Sequence, residues 1–357
     1  MNDRSDHRSA VLHWLRRGAS VLALLAVLDY FVLPQVAGTE AALRLLRTVN
    51  PWGAAAAVAL EAASLVSYTL LTRSMLPDAR PGFSWLLRSD LAGLGVSHLL
   101  PGGAATSGAL RYRLFQQGGA SPGDAGVGIA VQGATSTLML AVLLWLALIV
   151  SIPVLGLNRG YITAALVGAI LIAGILLALV LHARQPATTG EPFQAVIRRL
   201  PRTLRSRAQH AVSSAVRQLD QLLADRGALS TSALWATGNW IFDAASLWAF
   251  LAAYGERTDP VSLLVAYSIA ALVGSLPISP GGLGVVEGVM VPSLVGFGTP
   301  SPIAVLAVVS WRLFEFWAPI PIGGLSYLSL RTQRRYGCHH TLSARHPGWW
   351  AGRHRSP

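Results

Sequence analysis

The sequence predicts an all-α, polytopic membrane bundle of about six full spans plus two re-entrant helical hairpins, arranged as an inverted repeat. If the second hairpin crosses with both halves, the count rises to eight spans. Three observations carry this prediction. The 357 residues are 53% hydrophobic and only 12% charged, with a mean hydropathy of +0.50, whereas a soluble domain carries about 25% charged residues. Six stretches stay apolar over roughly the 20 residues that a membrane helix requires. Two further apolar regions are interrupted by Pro-Gly-Gly. This composition excludes an ordinary soluble enzyme and a disordered chain alike.

The elements follow in order. Residues 1–18 read as a cytoplasmic segment, because Arg4, Arg8, Arg16 and Arg17 precede the first span and basic residues stay inside. Span 19–36 is an uncleaved helix rather than a signal peptide, since Asp29, Tyr30 and Phe31 make a poor signal core. Span 51–72 follows, and then region 90–103, whose apolar core ends at Pro101, Gly102 and Gly103. Pro and Gly break helices there, so the first hairpin enters from the cytoplasm and returns to it beside Arg111 and Arg113. Spans 124–150 and 160–182 lead to the arginine-rich loop 184–230, read as amphipathic helix lying on anionic lipid. Span 231–254 precedes region 261–298, two halves hinged around Pro277 and Pro280, Gly281 and Gly282. Span 302–329 ends the membrane domain 19–330, and residues 331–357 form a cytoplasmic tail expected to be disordered.

The net charge of +12 comes entirely from arginine, for the chain has no lysine. Most of this excess falls on segments read as cytoplasmic. Both termini are therefore expected inside the plasma membrane of what reads as a bacterial cell. A nucleic-acid partner is not expected: the basic loop carries Phe193 as its one aromatic residue in 191–226, and stacking platforms need several. No metal or cofactor is expected. Cys338 is the single cysteine, and His339, His340, His346 and His354 fit no standard ligand spacing. The glycines of 280–287 lack the strand–turn–helix context of a dinucleotide fingerprint.

The two broken regions match at an offset of 179 residues, which aligns Pro101-Gly102-Gly103 with Pro280-Gly281-Gly282, Gly119 with Gly298, and Ala125 with Ala304. The hairpins enter from opposite sides, as in transporters built from inverted repeats around a midplane site. Interrupted backbone is tolerated at membrane depth where protein buries it or water lines it.

Polar residues inside the apolar segments supply the candidate site. Arg312 and Glu315 stand three apart and share a helix face. Their roles divide between a self-neutralising pair that holds the bundle and an anion contact at Arg312 oriented by Glu315. Glu287, one turn beyond the second break, is placed to cap its helix, pair with Arg312 or carry a proton, with the ion pair preferred. Asn239, Asp243 and Ser246 recur at helical spacing and form one polar face. Asp29 and Glu61 are single acids in the first two spans, and His98 reads as a packing histidine.

The run from Ser275 through Pro280-Gly281-Gly282-Leu283-Gly284 to Glu287, followed by Gly298 and Trp311-Arg312-Leu313, resembles the flippase-like membrane domain of lysylphosphatidylglycerol synthases and their stand-alone relatives. The stretch Leu100-Pro101-Gly102-Gly103 through Arg111-Tyr112-Arg113 fits the same family. The resemblance covers roughly residues 15–330 and implies a bundle that passes a phospholipid or similar amphiphile between leaflets. It implies Glu287 and Arg312 as motif positions, and Arg111 and Arg113 join the candidate set from the first repeat. Where family members often carry a Gly-Glu pair and a Glu-Arg pair in that repeat, this chain has Ala104-Ala105-Thr106-Ser107 and Gln132-Gly133. No soluble aminoacyltransferase domain follows the last span, so lysine transfer is not expected.

The expected function is therefore translocation of a phospholipid or related anionic amphiphile. Two other classes stay open: a membrane transferase acting on a lipid-linked substrate, with Asp243 and Glu287 as its acid couple, and a non-catalytic scaffold of an envelope-synthesis complex.

Overall fold

The structure is a computed structural model that describes residues 49–76, 81–100, 103–155, 226–275 and 279–343. Spans 19–36 and 160–182, Asp29, nearly all of the arginine-rich loop, and Pro101, Gly102 and Pro277 at the breaks lie outside the described residues. The described residues form helices α1 (Pro51–Ser74), α2 (Phe83–Leu99), α3 (Gly103–Gln117), α4 (Pro122–Leu155), α5 (Arg226–Ala253), α6 (Pro260–Gly274), α7 (Val285–Gly296), α8 (Ser301–Arg312) and α9 (Pro319–Ser343). A 3₁₀ turn at Pro280–Gly282 precedes α7, and a π turn at Leu313–Trp317 joins α8 to α9.

Three of the predicted spans fall on helices long and apolar enough to cross a bilayer: Pro51–Ser74, Pro122–Ser151 and the continuous Ser301–Gln333. The predicted span 231–254 is also helical, as α5, but is not among them, because Asn239, Asp243 and its serines dilute the apolar run. Those polar residues instead face α1. The two helices run antiparallel, with Ser64 bonded to Asn239, the Ser246 hydroxyl donating 2.9 Å to the Ala57 carbonyl, and Ser74 3.1 Å from Ser232. Small residues and interhelical hydrogen bonds of this kind hold membrane helices together where the hydrophobic effect offers no drive.

Both broken regions fold as helical hairpins. In the first, α2 returns as antiparallel α3: the Trp85 indole donates 2.8 Å to the Leu114 carbonyl, and a Cβ on Gly103 would collide with the backbone of Ser97. In the second, α6 returns as α7, with Gly282 packed against Gly274. The tight reversal there uses Gly281, Gly282 and Gly284 at φ of 54°, 71° and 80°, a region that side-chain-bearing residues avoid.

The repeat reappears as matching hydrogen bonds. The turn ending α3 has Gly118, Gly119 and Ala120 donating to Phe115, Gln116 and Phe115. The turn ending α7 has Phe297, Gly298 and Thr299 donating to Leu294, Val295 and Leu294, the same pattern 179 residues on. Gly119 and Gly298 adopt φ of 105° and 98°, and Ala125 and Ala304 are both fully buried one turn later. The halves differ at the break itself, where α3 starts at Gly103 but α7 starts three residues later in the aligned frame, after the 3₁₀ turn.

The two hairpin tips meet. His98, at the end of α2, contacts the Phe316 carbonyl through Nδ1 at 2.9 Å and stacks on the Phe316 ring at 4.5 Å. A Cβ on Gly281 would strike both rings. The first hairpin also packs on α9, where Gly95 and Gly323 face each other. The largest buried apolar cluster, which includes Leu247, Tyr267, Met290, Leu294 and Trp311, joins α5 through α8. The α9 helix runs on to Ser343, beyond residue 330. Residues 331–343 hold no proline, and adding residues to an existing helix is far easier than nucleating one.

Candidate functional site

Arg312 sits at the last turn of α8, where the π turn begins. Pro319 lacks an N–H and crowds the carbonyl four residues back. The helix there takes up the longer i→i+5 bond, Ala318 to the Leu313 carbonyl at 2.9 Å, a local widening common at functional sites. The guanidinium is 5% exposed and donates Nε to Glu287 Oε1 at 2.6 Å and Nη1 to Glu315 Oε2 at 2.7 Å. Nη2 reaches the Gly281 carbonyl at 3.4 Å. The Trp311 and Phe316 rings lie 5.6 and 5.1 Å from the guanidinium carbon. One arginine thus ties α8, the π turn and the second break together.

Glu287 does two of the three things the sequence allowed. Its Oε2 accepts the Gly284 N–H at 2.7 Å, capping α7, while Oε1 holds Arg312. Glu315 and Arg312 form the expected i,i+3 pair. The triad carries two carboxylates against one guanidinium, and its more exposed members are the acids, at 20% and 24% against 5%.

Asp243 stands next to this triad but is bonded elsewhere. It accepts from the Tyr267 hydroxyl and from the Trp311 indole, both at 2.6 Å. Asp243 and Glu287 share no hydrogen-bond donor: each takes its own. Asn239 lies one turn earlier on α5 and bonds Ser64.

Arg111 and Arg113 do not join Arg312. The sequence placed Arg111 beside the cytoplasmic return of the first hairpin and in the candidate set; the structure buries it at 5% exposure among α1, α2, α3 and α4. Its Nε donates 2.8 Å to Asp90, Nη1 reaches the Tyr68 hydroxyl at 3.1 Å, and Nη2 meets Thr72 and Gln132 at 3.2 and 2.5 Å. Thr72 in turn donates to the second oxygen of Asp90. Buried charge requires such partners, and Arg111 finds them in Asp90, Tyr68, Thr72 and Gln132. Arg113, two residues on along α3, is exposed. Each half thus ties its post-break helix to the following one through an arginine, but at positions that the 179-residue offset does not align. In the second half an acid on the post-break helix holds an arginine on the following helix. In the first half an arginine on the post-break helix holds Gln132 on the following one.

Sequence reasoning missed Asp90, Tyr68 and Thr72, and it noted Gln132 only as a departure from the family pattern. The available signal was Asp90 itself, an acid inside an apolar stretch, which demands a cationic partner nearby. Among the described residues no group of three or more His, Cys, Asp or Glu is arranged to hold a metal.

The family described as the lysylphosphatidylglycerol synthase TM region matches residues 18–323. Among curated relatives, a UPF0104 membrane protein from Methanothermobacter thermautotrophicus is 25% identical over 316 residues, covering 85% of this chain and 93% of the relative. A second UPF0104 membrane protein from the same archaeon is 25% identical over 345 residues, covering 89% and 96%.

Proposed function

The chain belongs to the lysylphosphatidylglycerol synthase TM region family, and from that premise we propose that it moves a phospholipid or related anionic amphiphile between membrane leaflets. The observation that carries the proposal is Arg312, held at the second break by two carboxylates that are themselves partly exposed. Leaving a buried guanidinium without an anion costs about 3–5 kcal/mol. A headgroup phosphate that replaces Glu287 or Glu315 keeps the charge paired throughout, and the planar fork of arginine suits a phosphate as well as a carboxylate. The contact between the hairpin tips at His98, Phe316 and Gly281 supports the reading, because that is where opening would expose Arg312. Ser279, beside the break, has a buried hydroxyl with no partner among the described residues and is placed to meet an incoming headgroup. The same reading sets the protein in the plasma membrane with both termini in the cytoplasm.

The test is reconstitution in vesicles with fluorescent phospholipids, comparing the protein with Arg312→Ala. Lipid exchange by the parent and little by the variant is expected. Equal exchange removes Arg312 from the mechanism, and no exchange by the parent removes the tested lipids as substrates.

A further inference from the structure

We propose that Glu61 and Asp243 form a proton-binding site in which the two carboxyls share a single proton. The proposal stands on the packing of α1 against α5 and does not depend on what the Arg312 site carries.

The antiparallel register that pairs Ala57 with Ser246 and Ser64 with Asn239 sets Glu61 across from Asp243, midway between those contacts. Both acids are buried, at 5% and 8% exposure, and the register turns them toward each other across the α1–α5 contact, beside Ser246. Glu61 Oε2 has no hydrogen-bond partner among the described residues. The arginine nearby does not serve either acid, because Arg312 bonds Glu287, Glu315 and Gly281. Among the described residues, the titratable and charged groups facing the pair are Tyr267 from α6, Glu315 from the π turn and Arg312 beyond it.

Two buried carboxylates facing each other in a low-dielectric interior strongly resist being charged together. A buried oxygen with no donor also costs free energy. One proton on Glu61 answers both: it lets Glu61 donate an O–H···O bond to Asp243. The remaining negative charge then rests on Asp243, where Tyr267 and Trp311 already donate. The proton comes from bulk water and returns to it, and no other bond changes.

Infrared spectroscopy of the protein in lipid nanodiscs near neutral pH tests the proposal. A carboxylic-acid carbonyl band that shifts in D₂O is expected in the parent, with loss of that band in Glu61→Gln. Absence of the band in the parent, its survival in Glu61→Gln, or its displacement by added sodium would overturn the proposal. If Glu61→Gln does not fold, a hydrophobic carbodiimide, which modifies protonated carboxyls, is applied to the parent. Mass spectrometry is expected to find the adduct on Glu61 or Asp243, decreasing as pH rises, and no adduct at either residue counts against it. Neither readout involves lipid movement, so this proposal and the translocation reading fail separately.

Discussion

Trp311 donates its indole N–H to Asp243 Oδ1 at 2.6 Å, while Arg312, the next residue, donates to Glu287 at 2.6 Å. Successive residues on a helix point about 100° apart, so one turn of α8 addresses α5 on one side and the second break on the other. The candidate site is therefore anchored to the bundle core through the residue beside it.

Replacing Arg312 leaves Glu287 and Glu315 facing each other with no counter-charge. Arg312→Ala is expected to destabilise the protein by about 3–5 kcal/mol. Glu287→Gln keeps the Arg312–Glu315 pair and should cost about 1–2 kcal/mol. Arg312→Lys should not restore stability, because a single ammonium cannot span two acids and a carbonyl. Denaturant unfolding in mild detergent checks the order, and an Arg312→Ala protein as stable as the parent would refute it.

The α2–α9 crossing depends on Gly323, where a Cβ would collide with the Leu91 carbonyl. Gly323→Leu is expected to cost about 1–3 kcal/mol through overpacking. At neighbouring Gly324 a Cβ meets nothing within 4 Å, so Gly324→Ala should stabilise the helix by about 0.5–1 kcal/mol. Thermal melts of the two variants should move in opposite directions, and equal shifts would contradict this packing.

The repeated turn makes its own prediction. At Gly119 and Gly298 a Cβ meets no atom within 4 Å, yet both residues hold positive φ. Each Gly→Ala change should cost about 1–2 kcal/mol through backbone conformation alone. Unequal costs, measured by the same unfolding assay, would show that the matching hydrogen bonds hide different environments.

Cys338 is the chain's single cysteine, which makes it a native topology probe. With a cytoplasmic C-terminus, a membrane-impermeant maleimide should label it in inverted vesicles and spare it in intact cells. The reverse pattern would invert the orientation drawn from the arginines.

Much of this architecture is legible in the residues because its causes are local. Apolar runs of span length, Pro-Gly-Gly interruptions and a 179-residue offset mark the helices, the hairpins and the repeat without any knowledge of packing. Glu287 and Arg312 were legible too, since a charge within an apolar stretch requires a partner and the motif pairs these two. Arg111 was not, because hydropathy places a charge along the chain but cannot say which way it faces.

By itself, then, the sequence determined a helical membrane protein, the breaks that fold its hairpins, and the charges that need partners. Only the tertiary structure decided which partner each charge took. Arg312 took two partly exposed carboxylates and Arg111 a closed polar network, while Asp243 took an indole and a phenol instead of Glu287. The reason is physical: pairing depends on distances of about 3 Å between residues tens of positions apart, and those distances exist only once the helices have packed.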